Sequence, residues 1–188
     1  TGVQTCALPI SSALHATLDG TAPYLTGPLA RWALNGAQLP DWLKAAAAEA
    51  GLAIPCRNPF ASIKVRAAEM AWAADEGLRL IDAYAPPAAS FVEVEPRDAW
   101  GFGVSEAPRG ALHHGYAIDD EGLITHARIV PPTSQNQAAI EADLAITAEA
   151  NTALDDAALG WRLEQAIRNH DPSISCAAHF LTLTVERG

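Results

Sequence analysis

One segment constrains the fold more than any other. It opens at Asn58 and Pro59, a capping residue followed by a residue pre-set for a first helical turn. It closes at Pro86 and Pro87, which cannot continue a helix. Between them Ile63, Ala67, Met70, Ala74, Leu78 and Ile81 recur at helical spacing. The pattern predicts a long helix running to about Tyr84 with one buried apolar stripe. Lys64, Arg66, Asp75, Glu76 and Arg79 supply part of its solvated face.

Other helices are expected on either side. The segment 15–35 carries several Gly and Pro and reads as turns leading into a short helix. DWLKAAAAEAG follows, with Asp41 near its start and Gly51 at its end. Near the other end of the chain, Ile140, Leu144 and Ala148 are in helical register from Gln137 to about Asn151. Asp155 and Asp156 cap a last helix carrying Leu159, Leu163 and Ile167 and ending near Asn169. The middle differs: FVEVEPRDAWGFGVSEAPRGALHHGYAIDDEGLITHARIVPPT has short alternating segments broken by Gly, Pro and Asp-Asp-Glu-Gly. GALHHGYAI and LITHARIV flanking a turn predict a small antiparallel sheet. The expected fold class is therefore mainly α, long helices packed together with a small inserted antiparallel β-sheet.

Charge and cysteine usage narrow the function classes. A formal net charge of -10, with Lys and Arg scattered singly, argues against a nucleic-acid backbone or an anionic membrane surface as partner. The apolar runs are short, so no membrane span is expected. No basic region precedes an apolar stretch near the N-terminus, so a cytoplasmic location is expected. Cys6, Cys56 and Cys176 are too widely separated for a disulfide framework. Thr1 to Ile10, TGVQTCALPI, looks like the translation of a sequencing adapter. On that reading residues 1–10 are an artefact, and the chain is the C-terminal piece of a longer gene product.

Three stretches could carry chemistry. DPSISCAAHF places Cys176 and His179 three apart behind an Asp-Pro turn. A closed zinc site needs four ligands, usually as two such pairs, and no second pair exists, so alone this signal is weak. SEAPRG sets Glu106 and Arg109 around a Pro-bounded turn. An arginine fixed there suits an anionic group, although a surface turn with a solvated ion pair is the commoner case. PPTSQN offers Thr133 and Ser134 as hydroxyl donors, which capping of the next helix would also explain.

Order and spacing make these stretches specific together. YLTGPLAR, NPFASIKVRAAEM, EAPRGALHHGY, PPTSQN and the terminal DPxxSCxxHF form a series that resembles the C-terminal half of the large subunit of nickel–iron hydrogenases. The likeness runs from about His15 to Phe180 and is greatest to the cytoplasmic, multisubunit, NAD(P)-linked or sulfhydrogenase-type members. In that family nickel and iron share four cysteine thiolates from two C-x-x-C pairs, and iron carries carbon monoxide and cyanide. H2 is split heterolytically there, and electrons leave through an iron–sulfur small subunit. Soft thiolates suit such a centre. The resemblance makes Cys176 the nickel–iron bridging ligand and puts Ser173 where the family has a terminal nickel ligand. It makes His179 the last residue of the mature protein and a ligand of a neighbouring magnesium-type ion. Arg109 and Asp171 belong to a canopy over the open metal position, and Pro108 shapes that wall. Thr133 or Ser134 would hydrogen-bond a cyanide, with Glu106 and His113 as supporting residues. Residues 11–179 are then the hydrogenase part, and 180–188 an extension removed by a maturation protease, though LTLTV could instead be a native strand. NAD(P) and Fe-S clusters would sit only on partners, namely diaphorase-type subunits and the iron–sulfur small subunit.

Two departures bear on activity. The upstream C-x-x-C pair is absent from the chain, and Ser173 is an oxygen in place of a sulfur. A serine hydroxyl is a hard donor that stays protonated near neutral pH. The chain by itself is therefore expected to be inactive. The competing readings are a metal-free scaffold related to the hydrogenase-like subunit of respiratory complex I, and an H2-sensing homologue.

Overall fold

The computed structural model describes residues 17–172 and Thr184. A two-residue hairpin comes first: β1 (Thr17–Leu18) pairs with β2 (Ala22–Pro23). Three helices follow: α1 (Pro28–Asn35), α2 (Asp41–Glu49) and α3 (Ser62–Asp82). Asn58 caps the 3-10 turn Pro59–Ala61 that leads into α3, its Oδ1 accepting from Phe60 N at 3.0 Å. A three-stranded antiparallel sheet comes next, β3 (Ala99–Ala107), β4 (Gly110–Ile118) and β5 (Ile124–Val130), with β4 central. Two helices complete the described chain, α4 (Pro132–Glu149) and α5 (Asp156–Asn169). Asp155 caps α5 through Ala158 N at 2.8 Å. The expected class, mainly helical with a small antiparallel sheet, is the observed one.

The core is built where α1, α2 and the start of α3 meet. Trp32, Ala47, Leu52 and Val65 are buried together, with Leu29, Leu39, Cys56, Ala61 and Ala68 against them. Trp32 meets the polar demand of its indole by donating Nε1–H to Ala53 O at 2.8 Å. A second buried patch joins α4 and α5 through Ile140, Leu159, Leu163 and Ala166. No helix among the described residues is long and apolar enough to cross a membrane.

Two expectations need correction. The stripe proposed for the long helix is not its packed face. Ile63, Met70, Leu78 and Ile81 are 69%, 73%, 65% and 72% exposed, and Ala67 and Ala74 are exposed as well. Ser62, Val65, Ala68 and Glu69 line the face that is covered. The reason is length: α3 is about 30 Å long, whereas its described partners, α1, α2 and the 3-10 turn, meet only part of it. The second correction concerns PPTSQN, which is not a turn ahead of a helix. Pro131 is the N-cap, and Thr133, Ser134, Gln135 and Asn136 are buried inside the first turns of α4.

This division predicts unequal responses to truncation. Trp32→Ala should cost about 3–5 kcal/mol, read as a lowered urea midpoint. Ile81→Ala should shift stability by no more than about 0.5 kcal/mol. A large loss from Ile81→Ala would mean that its face is covered after all.

Candidate functional site

β3 and β4 are joined by two residues, Pro108 and Arg109, between the paired positions Ala107 and Gly110. The tightness of this hairpin puts Arg109 at its tip. The tip does not stand free. Gly27 and Gly110 both have positive φ, 100° and 132°, and their backbones lie against each other. A Cβ on Gly27 would collide with the carbonyl of Arg109, its carbon 2.9 Å away. One on Gly110 would meet Thr26 Cβ at 2.7 Å and Gly27 N at 2.8 Å. Only residues without a Cβ allow this approach.

Arg31, one turn into α1, holds the other flank of the hairpin. Its Nε and Nη2 donate to the two carboxylate oxygens of Glu69 at 2.7 and 2.8 Å. Nη1 donates to Glu106 and to Ala107 O at 3.0 Å, and Nη2 also to Pro108 O at 3.1 Å. The Glu69 carboxylate, and after it Glu106, hold the guanidinium pKa above its ordinary value against the opposing effect of burial. Glu106 is thus turned toward Arg31.

Arg109 itself reaches the end of α5. Its Nε donates to Asp171 O at 2.7 Å and lies 3.3 Å from Asp171 Oδ2. Asp171 has a positive φ of 49°, which aspartate tolerates better than most residues. The residues just before it are tied as firmly. Asn169 O accepts from Ser62 Oγ at 2.7 Å and from Arg66 Nη1 at 3.1 Å. His170 is buried, with Nε2 2.9 Å from Asp143 Oδ2, a close contact rather than a well-aligned hydrogen bond.

The first turns of α4 close the arrangement. Asn136 Oδ1 accepts from Thr26 N at 2.7 Å, and Asn136 Nδ2 donates back to Thr26 O at 3.3 Å. Gln135 Nε2 donates to Ala111 O at 2.7 Å, while Gln135 Oε1 accepts from Tyr24 OH at 3.2 Å. Arg109, Asn136, Asn169 and His170 line one narrow cleft. The starts of α1 and α4 meet there through the Thr26–Asn136 pair, beside the Arg109 backbone.

The structure therefore brings Arg109 and Asp171 together, with Pro108 beside them. Thr133 and Ser134 are buried in the α4 turn that precedes Asn136. His113 is elsewhere: it is exposed on β4 and faces a groove of about 500 Å³ with Phe102, Val104 and Arg128. Ser173, Cys176 and His179 lie outside the described residues, as do the segments 1–10 and 180–188 apart from the exposed Thr184. Arg31, Glu69, Thr26, Gln135 and Asn136 were not singled out from the sequence. Each lies inside a quoted motif, but a buried amide or a clamping arginine has no spacing that marks it.

The described residues do not make a metal site on their own. Among them there is no group of three or more His, Cys, Asp or Glu placed to hold an ion. Their one free cysteine, Cys56, packs against the core. The site they form is a hydrogen-bonding wall of paired charges, and the buried Asn169 Nδ2 is a donor with no acceptor among the described residues.

The fold is mainly helical with a small inserted sheet, and it presents an arginine on a carboxylate beside two helix starts. Residues 27–179 match a family model described as nickel-dependent hydrogenase, and the chain belongs to that family. It is 34% identical over 128 residues to the alpha chain of sulfhydrogenase 1 of Pyrococcus furiosus, covering 67% of this chain and 30% of that protein. It is 31% identical over 174 residues to an F420-non-reducing hydrogenase iron-sulfur subunit of Archaeoglobus profundus, covering 87% of this chain and 35% of that one. The fold resembles an NAD+-reducing NiFe hydrogenase, with a TM-score of 0.60, 26% identity and coverage of 86% and 37% of the two chains. It also resembles the NiFeSe hydrogenase of Dm. baculatum, at TM-score 0.52 and 25% identity, with 84% and 35% covered. The chain thus spans about a third of the length of these relatives.

Two measurements test the geometry. Gly27→Ala should destabilise by more than about 2 kcal/mol, combining a clash with a strained φ. Gly77→Ala, in open space on α3, should gain up to about 1 kcal/mol. If chemical denaturation finds Gly27→Ala neutral, the backbones are not in contact. The second concerns His170. Burial lowers its pKa below 6.5 and outweighs the attraction of the partly exposed Asp143. With a depressed folded pKa, its contribution to stability is complete above the unfolded value and is lost as pH falls from there through the folded pKa. His170→Gln should flatten the stability–pH curve below about 6.5, and a curve parallel to the parent's would remove the assignment.

Proposed function

We propose that this chain is the C-terminal part of a hydrogenase large subunit whose complete form cleaves H2 reversibly at a nickel–iron centre. Residues 11–179 would be the hydrogenase part, 1–10 an adapter-derived artefact, and 180–188 an extension removed by a maturation protease. The complete protein would pass electrons to an iron–sulfur small subunit, then through diaphorase-type subunits to a soluble acceptor in the cytoplasm.

One observation carries this reading. Arg109 is held on Asp171, two residues before Ser173, within a chain that matches a nickel-dependent hydrogenase model over 27–179. In the proposed roles Arg109 offers its terminal nitrogens to an anionic group such as an iron-bound cyanide. Thr133 or Ser134 would donate to another cyanide, and Asp171 would orient the arginine and be available to exchange a proton. Pro108 and Glu106 are assigned supporting parts, for Glu106 that of holding Arg31, whereas His113, on the other groove of the sheet, would act only at a distance from Arg109. Cys176 would bridge the two metals and His179 would bind a magnesium-type ion.

The donor set does not fit an intact centre. Four thiolates are required by the resemblance, and this chain offers Cys176 with an oxygen at Ser173. The chain as it stands is proposed to be inactive. Ser173 also favours a second reading, a metal-free scaffold related to the hydrogenase-like part of complex I, whereas Arg109, Asp171, Cys176 and His179 favour the hydrogenase or an H2-sensing relative.

The test compares the complete polypeptide carrying Ser173 with its Ser173→Cys form, matured with its partners. Nickel measured by mass spectrometry should be lower in the serine form by about tenfold or more, and H2-dependent dye reduction should appear only with cysteine. Equal nickel and equal H2 uptake would sink the proposal.

A further inference from the structure

We infer that Arg31 is a positioning residue for Arg109, acting through the hairpin tip; its functional meaning rests on the role proposed for Arg109. A guanidinium has five N–H donors in a rigid fork. Arg31 makes five hydrogen bonds with them: two to Glu69, one to Glu106, one to Ala107 O and one to Pro108 O. Two of the acceptors are the carbonyls of the residues immediately before Arg109. The clamp therefore fixes the main chain from which the Arg109 side chain departs.

The same helix turn holds the tip from its other side. Arg31 N donates to Gly27 O at 2.8 Å, and Gly27 is the residue whose backbone backs onto Arg109. One helical turn thus grips Arg109 on both flanks, by a fork on one and by a glycine contact on the other. Glu69 ties the grip to α3, whose Arg66, three residues earlier, helps hold the Asn169 carbonyl. Both ends of the Arg109–Asp171 contact are in this way referred to the same helix. A two-residue loop with a half-exposed arginine has no comparable restraint of its own.

A lysine at position 31 keeps the charge but has a single nitrogen, which cannot reach four groups in one plane. This separates positioning from simple ion pairing. The 188-residue chain is labelled with 15N-arginine, and the Arg109 Nε–H resonance is assigned through Arg109→Lys. Arg31→Lys and Arg31→Met should both shift that resonance and raise its exchange with water about tenfold, as expected for loss of one hydrogen bond near 1.4 kcal/mol. Val65→Ala, which weakens the core without touching the clamp, should leave the resonance in place. If Arg31→Met does not fold, Glu69→Gln should give the same change at smaller amplitude. An unmoved Arg109 Nε–H in Arg31→Lys, or an equal change in Val65→Ala, would overturn the inference. Nickel does not enter this measurement, so its outcome is separate from that of the Ser173 comparison.

Discussion

The approach of Thr26-Gly27 to Arg109-Gly110 is the contact on which the rest of the site depends. It joins segments more than eighty residues apart at backbone distance, with the Thr26 side chain packed against Gly110, so the α1 start and the β3–β4 tip have one relative position. Asn136 then binds Thr26 from α4, and Arg31 binds the tip from α1. These bonds are directional, and those to the hairpin tip depend on the relative position that the glycine contact fixes. The cost of ordering so many polar groups is offset by their mutual satisfaction: Thr26, Gln135, Asn136 and Arg31 meet specific partners rather than bulk water.

A second set of bonds fixes where the chain leaves α5. Ser62 and Arg66 both donate to Asn169 O, a carbonyl at the helix end that has no partner within the helix. Arg109 does the same for Asp171 O. Cationic side chains on the last carbonyls also complement the negative end of the helix. These are three donors from two elements on two nearby carbonyls. These bonds set the position of the chain as it leaves α5.

The sequence made much of this legible, and for identifiable reasons. Helices with strong breakers or caps, such as α2 before Gly51 and α5 after Asp155, were placed correctly because local chemistry decides them. The hairpin tip was visible as a Pro-bounded turn between alternating segments. The buried face of α3 was not, since helical spacing identifies apolar rows without saying which row meets a neighbour; here Val65 and Ala68 pack while Ile81 is exposed. PPTSQN misled differently. Polar residues near a proline usually cap, yet here their amides and hydroxyls are buried against other segments, a tertiary demand that no local rule contains. Arg31 was hidden for the same reason: its five acceptors come from α3 and the hairpin, none from its own helix.

These points bear on the oxygen at position 173. The described anchors of Asn169, His170 and Asp171 are made by Ser62, Arg66, Asp143 and Arg109. On the proposed reading, serine in place of cysteine at position 173 would be a change in donor chemistry, soft and anionic against hard and protonated, separate from these anchors. The clamp and the helix-end anchors are made by described residues, and the proposed loss of capacity would not come from them. Family membership is shown by the match over residues 27–179, whereas the proposed metal competence would rest on a few side chains, so the two are separable properties.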